Sequence, residues 1–309
     1  MLFIIIPLVL FILLLSVAAY FFYLACSRSY HSSKSLLDTT PFLKYKEFVK
    51  ISSDWVLAQS PEEVFITRRD GLKLSGLFLK NGESSKTVLM MHGYRAPHGG
   101  MSDFCAICPY YYKLGYNILM IDQRAHGRSE GKYICFGIKE RYDCADWAFW
   151  IENRVGIGTH IILDGISMGA STVLMASTLP LPQGVNAIVA DCGFTSAFDE
   201  CMYVTKTVMH LPPHPLLDLV NLFAMLFAKF SLRECSAESE LSKNSSIPVL
   251  FIHGSEDTFV PLFMGERNYA ACKSLKKLVV IEGASHAMSY LMQPEKYQAA
   301  LSDFLSHLE

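Results

Sequence analysis

Five residues, Gly165-Ile166-Ser167-Met168-Gly169, carry the first chemistry in this sequence. They follow the apolar run Ile161-Ile162-Leu163 and precede Ala170 to Ala176, which reads as a helix. A strand, a sharp turn and a helix around G-x-S-x-G are the parts of a nucleophile elbow. The turn strains the serine backbone so that its hydroxyl stands clear, and the flanking glycines keep side chains out of the way. The start of the next helix offers free N–H groups to a developing oxyanion.

A hydroxyl is a weak nucleophile until a base takes its proton, and the base needs an orienting carboxylate. Val249-Leu250-Phe251-Ile252 is strand-like, and His253-Gly254-Ser255-Glu256-Asp257 follows it. Lys277 to Ile281 is another such run, followed by Glu282-Gly283-Ala284-Ser285-His286. Both loops sit at the C-terminal ends of strands, where open α/β sheets place their chemistry. The order serine, acid, histidine makes Ser167 the nucleophile, Asp257 the acid and His286 the general base. Glu256 is the competitor for the acid. Thr87 to Met91 reads as a buried strand leading into His92-Gly93-Tyr94-Arg95. The expected oxyanion hole is the pair of backbone N–H groups on Tyr94 and Met168.

These residues need a scaffold, and the chain supplies one. Val64 to Thr67 and Leu72 to Leu79 alternate on either side of Asp70-Gly71 and predict a β-hairpin. Strand-like runs then alternate with helical ones. Strands fall near Val88, Ile118–Ile121, Ile161–Leu163, Ala187–Ala190, Val249–Ile252 and Leu278–Ile281; helices include Glu140 to Asn153 and Met264 to Ser274. That alternation predicts a mostly parallel sheet with helices on both faces. Asp122-Gln123-Arg124-Ala125-His126-Gly127-Arg128-Ser129-Glu130-Gly131 reads as a loop held by internal ion pairs. His126 and Arg128 are scaffolding there rather than substrate contacts. Some fifty residues between Asp191 and Val249 exceed what a direct return needs and form a cap. In it Leu216, Leu219, Val220, Phe223, Phe227 and Phe230 share one helical face. That face packs on the core, or forms an acyl-binding or membrane-facing lid over Ser167.

The chain has 309 residues and a formal net charge of -2, with no polybasic footprint for nucleic acid. Leu2 to Ala25 carry no charged side chain. As a helix this run spans about 36 Å, enough for a bilayer core of roughly 30 Å. Tyr20 to Tyr23 fit an interfacial aromatic belt. A cleaved signal peptide would have a basic start, and no Lys or Arg precedes Arg28. A membrane anchor is the expectation. Arg28, Lys34, Lys44, Lys46 and Lys50 follow it and put the rest of the chain on the cytoplasmic side. Nine scattered cysteines suit reduced thiols, and the C-x-x-C of Cys105 and Cys108 reads as structural. Ser27 to about Leu57 reads as a stalk and a lead-in helix. Tyr45, Phe48, Val49 and Trp55 could face either the domain or the membrane.

From about residue 60 onward the chain resembles the α/β-hydrolase superfamily of serine hydrolases. The likeness rests on Gly165 to Gly169, the Asp122 to Gly131 loop, His253 to Asp257 and Gly283 to His286. Asp191-Cys192-Gly193-Phe194-Thr195-Ser196 and the proline-bearing cap resemble a Firmicutes-type group with an N-terminal membrane segment, described as serine aminopeptidase-like. The resemblance implies an eight-stranded, mostly parallel sheet and a Ser167–Asp257–His286 triad that uses no metal and no cofactor. Ala125 departs from the glycine common in that loop and puts its local backbone in doubt. The division expected is an anchor at 1–26, a stalk at 27–57 and an α/β-hydrolase domain at 58–309 with a cap at about 194–245. The function expected is cleavage of carboxylic esters, small or lipid-like. A peptidase, thioesterase, acyltransferase or non-catalytic binding protein are the alternatives, and Glu200 and Asp218 are carboxylates that could hold a substrate amine. Neither the oligomeric state nor the particular substrate follows from the sequence.

Overall fold

The computed structural model describes residues 2–28, 40–96 and 100–308. In chain order the elements are α1 (Leu2–Cys26), α2 (Thr40–Leu43), α3 (Lys46–Ala58), β1 (Glu62–Thr67), β2 (Lys73–Leu79), β3 (Lys86–Met91), α4 (Gly100–Phe104), α5 (Cys108–Lys113) and β4 (Asn117–Ile121). Then come α6 (Glu140–Val155), β5 (His160–Ile166), α7 (Met168–Ala176), β6 (Val185–Asp191), α8 (Ala197–Tyr203), α9 (Leu216–Phe223) and α10 (Ala237–Leu241). The chain closes with β7 (Val249–Gly254), α11 (Leu262–Ala271), β8 (Lys276–Ile281), α12 (Ser289–Met292) and α13 (Pro294–Ser306).

One eight-stranded sheet runs in the order β1-β2-β4-β3-β5-β6-β7-β8. The expected hairpin forms, with Thr67 opposite Lys73. β2 meets β4 antiparallel, and every pairing from β4 to β8 is parallel. The central strands read as unbroken apolar runs because both of their faces are covered. On one face Leu89, Leu119 and Leu163 pack under α6, α7 and the cap. On the other, Val88, Met90, Ile118 and Ile162 pack under α3, α5 and α13.

The lead-in helix is α3, and it packs on the domain. Val49, Ser52 and Val56 are buried, and Trp55 meets Tyr112 edge-on at 5.6 Å. The part of the expected stalk at 29–39 lies outside the described residues. All nine cysteines are free, and Cys108 Sγ lies against the sulfurs of Met90 and Met120.

α1 is the one helix among the described residues long and apolar enough to cross a membrane, and it contains Pro7. Its end is built into the domain. Four carbonyls in its last turn cannot be satisfied within the helix. Arg95 Nη2 donates to Leu24 O at 2.8 Å, Tyr94 Oη to Ala25 O at 2.7 Å, and Ile134 N to Cys26 O at 2.8 Å. The Arg95 charge also complements the negative end of the helix dipole. The cap is α8, α9 and α10, with α8 and α9 each running on into a π-helical turn, at Val204–Val208 and Ala224–Ala228. The single long cap helix suggested by Leu216 to Phe230 therefore stops early. Lys229 turns left-handed (φ 59°), and Phe230 is buried beyond the helix.

Gly169 sets the closest approach in the fold: a Cβ there would lie 1.7 Å from Met91 O. No side-chain rotation relieves a clash with backbone. Gly169→Ala should therefore destabilise the protein by roughly 3 kcal/mol or more. Thermal denaturation checks this, and an unchanged melting temperature would contradict the packing.

Candidate active site

Ser167 sits between β5 and α7 with φ 57° and ψ −117°. A non-glycine residue adopts that conformation only where its surroundings impose it. Here Ser167 N donates to Asp191 O at 2.8 Å. A Cβ on Gly165 would lie 2.4 Å from the Gly169 carbonyl carbon, so both glycines of the motif are needed for the turn to close.

The loops after β7 and β8 are zipped together by their backbones. Glu256 N donates to Ala284 O at 3.0 Å, Ser255 N to Ile281 O at 3.0 Å, and a Cβ on Gly254 would lie 2.2 Å from Ala284 O. This brings Asp257 Oδ2 to 2.7 Å from His286 Nδ1, and His286 Nε2 to 2.8 Å from Ser167 Oγ. Asp257 Oδ1 accepts the N–H groups of Phe259 and Val260 at 3.0 and 2.9 Å. His253 donates from Nε2 to Val260 O at 2.8 Å and lies 3.5 Å from Asp257 Oδ2. Burial opposes ionisation of Asp257. The hydrogen bonds and charge of His253 and His286 outweigh it and hold the carboxyl at about 2. Glu256 is exposed. The structure thus brings together Ser167, Asp257 and His286 and leaves Glu256 out.

The loop after β3 closes over the same point. A Cβ on Gly93 would lie 3.4 Å from Ser167 Cβ. The Met168 N–H opens α7 and has no partner within that helix. Gly93 N donates to Asp103 Oδ2 at 2.7 Å. Burial pushes the Asp103 carboxyl up, against the pull of nearby His92. No sequence pattern singles out Asp103, which lies on α4 ten residues beyond Gly93. The Tyr94 ring stacks on Phe136 at 5.4 Å, and its hydroxyl holds Ala25 O. The loop that borders Ser167 is therefore also the joint with α1.

The Asp122 to Gly131 loop is scaffolding. Arg95 N donates to His126 Nε2 at 3.1 Å, and Gln123 N to His92 Nε2 at 3.0 Å. These bonds tie the loop to the β3 loop rather than aim it at a substrate. Its main ion pair is not internal. Arg124 binds Asp143 on α6 at 2.6 Å, and Arg68 joins the same carboxylate at 2.7 Å. Asp143 is fully buried, and two guanidinium groups are what let it stay there. Ala125 has φ 61°, the left-handed conformation that glycine adopts freely.

Two cap carboxylates separate. Asp218 is half-exposed and bound to His214 at 2.6 Å and Arg233 at 2.8 Å. Those partners take it out of consideration for an amine. Glu200 is 6 % exposed, and neither carboxylate oxygen has a partner among the described residues. Burial, and then the charge of Asp257, push its carboxyl up from 4.5 to about 8.

Cys192 Sγ and the ligand atoms of Asp257 and His286 lie within 4.8 Å of one another. A metal there would need the thiolate, and burial pushes that thiol well up. It would also take His286 from Ser167. The group is better described as the acid–histidine pair with a buried thiol beside it.

A mostly parallel sheet of this order, a serine elbow between β5 and α7, and an acid and a histidine after β7 and β8 make this the α/β-hydrolase fold. A family model of the alpha/beta hydrolase fold matches residues 86–233. YqkD of Bacillus subtilis is 28% identical over 77% of this chain and 77% of its own. The mouse alpha/beta hydrolase domain-containing protein 17C is 28% identical over 82% of this chain and 72% of its own. Among solved structures, the Pyrococcus furiosus esterase Pf2001 aligns with a TM-score of 0.65 at 28% identity, over 82% of this chain and 93% of that one.

Glu200 makes stability depend on pH in a calculable direction. Its folded carboxyl keeps a proton that the unfolded chain releases above 4.5. Its contribution is therefore fully favourable below 4.5 and is lost as pH rises towards 8. Glu200→Gln should flatten that decline and gain on the parent, on the order of a few kcal/mol, at pH 8 but not at pH 4. Melting curves at the two pH values check it; an equal difference at both would contradict the burial of an unpaired acid.

Proposed function

We propose that this protein is a membrane-anchored serine hydrolase that cleaves carboxylic esters through an acyl-enzyme intermediate. The observation that carries the reading is the unbroken line Asp257 Oδ2, His286 and Ser167 Oγ, joined at 2.7 and 2.8 Å. His286 takes the Ser167 proton as Oγ attacks the ester carbonyl. The N–H groups of Tyr94 and Met168 receive the oxyanion. His286 then protonates the leaving alcohol, and water activated by the same ring releases the acid. Asp257 stays ionised throughout and stabilises the imidazolium, as a carboxyl held at about 2 can. The likeness to a solved esterase at 28% identity supports ester chemistry. No metal, cofactor or nucleic acid has a part in this scheme.

The anchored half of the reading rests on α1. A cleaved leader would leave the domain, yet this helix ends in bonds to Tyr94, Arg95 and Ile134. Basic residues from Arg28 onward support a cytoplasmic position for the domain. Glu200 favours a second reading, an amine-recognising peptidase, since a buried carboxylate without a partner is what an ammonium would complete.

The full chain in detergent, assayed on nitrophenyl esters of rising acyl length beside amino-acyl arylamides, separates these readings. Ser167→Ala should lower kcat/KM on the preferred ester by ~10⁴-fold or more. It should also abolish covalent labelling by a fluorophosphonate. Turnover of arylamides alone, lost in Glu200→Gln, would establish the peptidase. Equal ester turnover by the Ser167→Ala variant would remove the nucleophile assignment.

A further inference from the structure

The stretch of α1 long and apolar enough to cross a bilayer, Ile5–Cys26, reaches into the part of the helix that packs on the domain. From Ile5 to Leu13 it is exposed on all sides. From Leu14 onward one side is covered, with Ala18 fully buried and Phe22 nearly so. A hydrocarbon core of roughly 30 Å takes about 20 residues of helix, so a span drawn from Ile5–Cys26 includes residues from the stretch after Leu13. That stretch packs along α9. The Phe22 ring lies 6.4 Å from Phe223 and 6.1 Å from Phe227. If α1 spans, whatever is packed at this level enters the lipid with it.

The outer face of α9 and its π-helical turn suits that position. Leu222, Met225, Leu226 and Phe227 are 44–58 % exposed, and the Phe227 ring meets Phe22 of α1. On the same stripe Asp218, bound to Arg233 and His214, stands at one end, and exposed Lys229 at the other. An apolar centre bracketed by charges is the pattern of a helix lying flat in the membrane interface, sunk about 5–10 Å. The inner face, with Leu216, Val220 and Ala224, is already buried in the domain. Water is thus left facing the apolar side only.

We propose that α9 and its π-helical turn are a second membrane-contacting element, laid into the leaflet from which α1 emerges, so that the site loads ester substrates from that leaflet. This rests on the anchored reading above. One helical turn separates Phe22, against the cap, from Cys26, and within that turn the Ala25 carbonyl holds Tyr94 of the site loop. Phe22 is therefore about 5 Å along α1 from the carbonyl that holds the site loop.

The test uses the full chain in vesicles of phosphatidylcholine and phosphatidylglycerol, with and without bromine on the acyl chains. Leu226→Trp is compared with Ile157→Trp, and the parent emission is subtracted. Ile157 is fully exposed and lies just before β5, at the opposite end of the sheet from the site. The emission added at position 226 should fall by about half or more in brominated lipid, and that at 157 should not change. An unquenched Trp at 226 in protein that survives an alkaline carbonate wash would overturn the cap contact and leave the anchor standing. Release of the parent by that wash would remove the anchored reading and the proposal with it. The pair Leu222→Glu and Leu226→Glu, made together, should lower turnover of a vesicle-embedded long-chain ester by about tenfold or more and leave a soluble short-chain ester within about twofold. Equal losses on both substrates would count against loading from the leaflet.

Discussion

Everything at the site depends on how closely α7 lies against β3. At Gly169 the gap is smaller than a methyl group, and the atoms it faces are the carbonyls of Met91 and His92. That contact fixes the start of α7 relative to the end of β3. It therefore also fixes Ser167 relative to the His92-Gly93-Tyr94 loop. Ser167 is strained because it joins two elements with no slack between them. The strain is held by parts that cannot yield: a bond to the Asp191 carbonyl on one side and the β3 backbone on the other.

Asp257 and His286 are placed by a different device. The loops after β7 and β8 bond to each other before either reaches the elbow. Asp257 and His286 thus arrive as one unit, and only the His286 to Ser167 contact has to form across the two halves. Asp257 has four groups directed at it: two backbone N–H groups and two imidazoles. Loss of the His286 bond alone would not free it to move.

The strands, the elbow and the order of Ser167, Asp257 and His286 were all legible in the sequence. Each is local: a buried parallel strand is an apolar run, and each site residue follows one within a few positions. Relations between distant segments were not legible. Asp103 carries no signal either, because only the folded backbone shows that its carboxylate takes the Gly93 N–H. The sequence could not place α3, since Val49 and Trp55 suit a domain face or a membrane face equally. Asp218 and Glu200 were indistinguishable as cap carboxylates until Arg233 and His214 proved to be partners of one and nothing of the other. The π-helical turns are equally silent, because the apolar spacing from Leu216 to Phe230 continues past the point where the backbone leaves the α-helix.

The joint between Tyr94, Arg95 and the end of α1 bears on how the chain can be shortened. A cut just before Ser27 looks harmless on paper, since it removes an apolar segment and leaves the sheet whole. It would delete the acceptors at Leu24 and Ala25 and uncover the cavity that Phe22 fills against Tyr133, Phe223 and Phe227. Buried donors without acceptors are costly, and these sit on the loop that touches Ser167. The last turn of α1 is thus part of the folded unit, and trimming it for solubility would alter the object being made soluble.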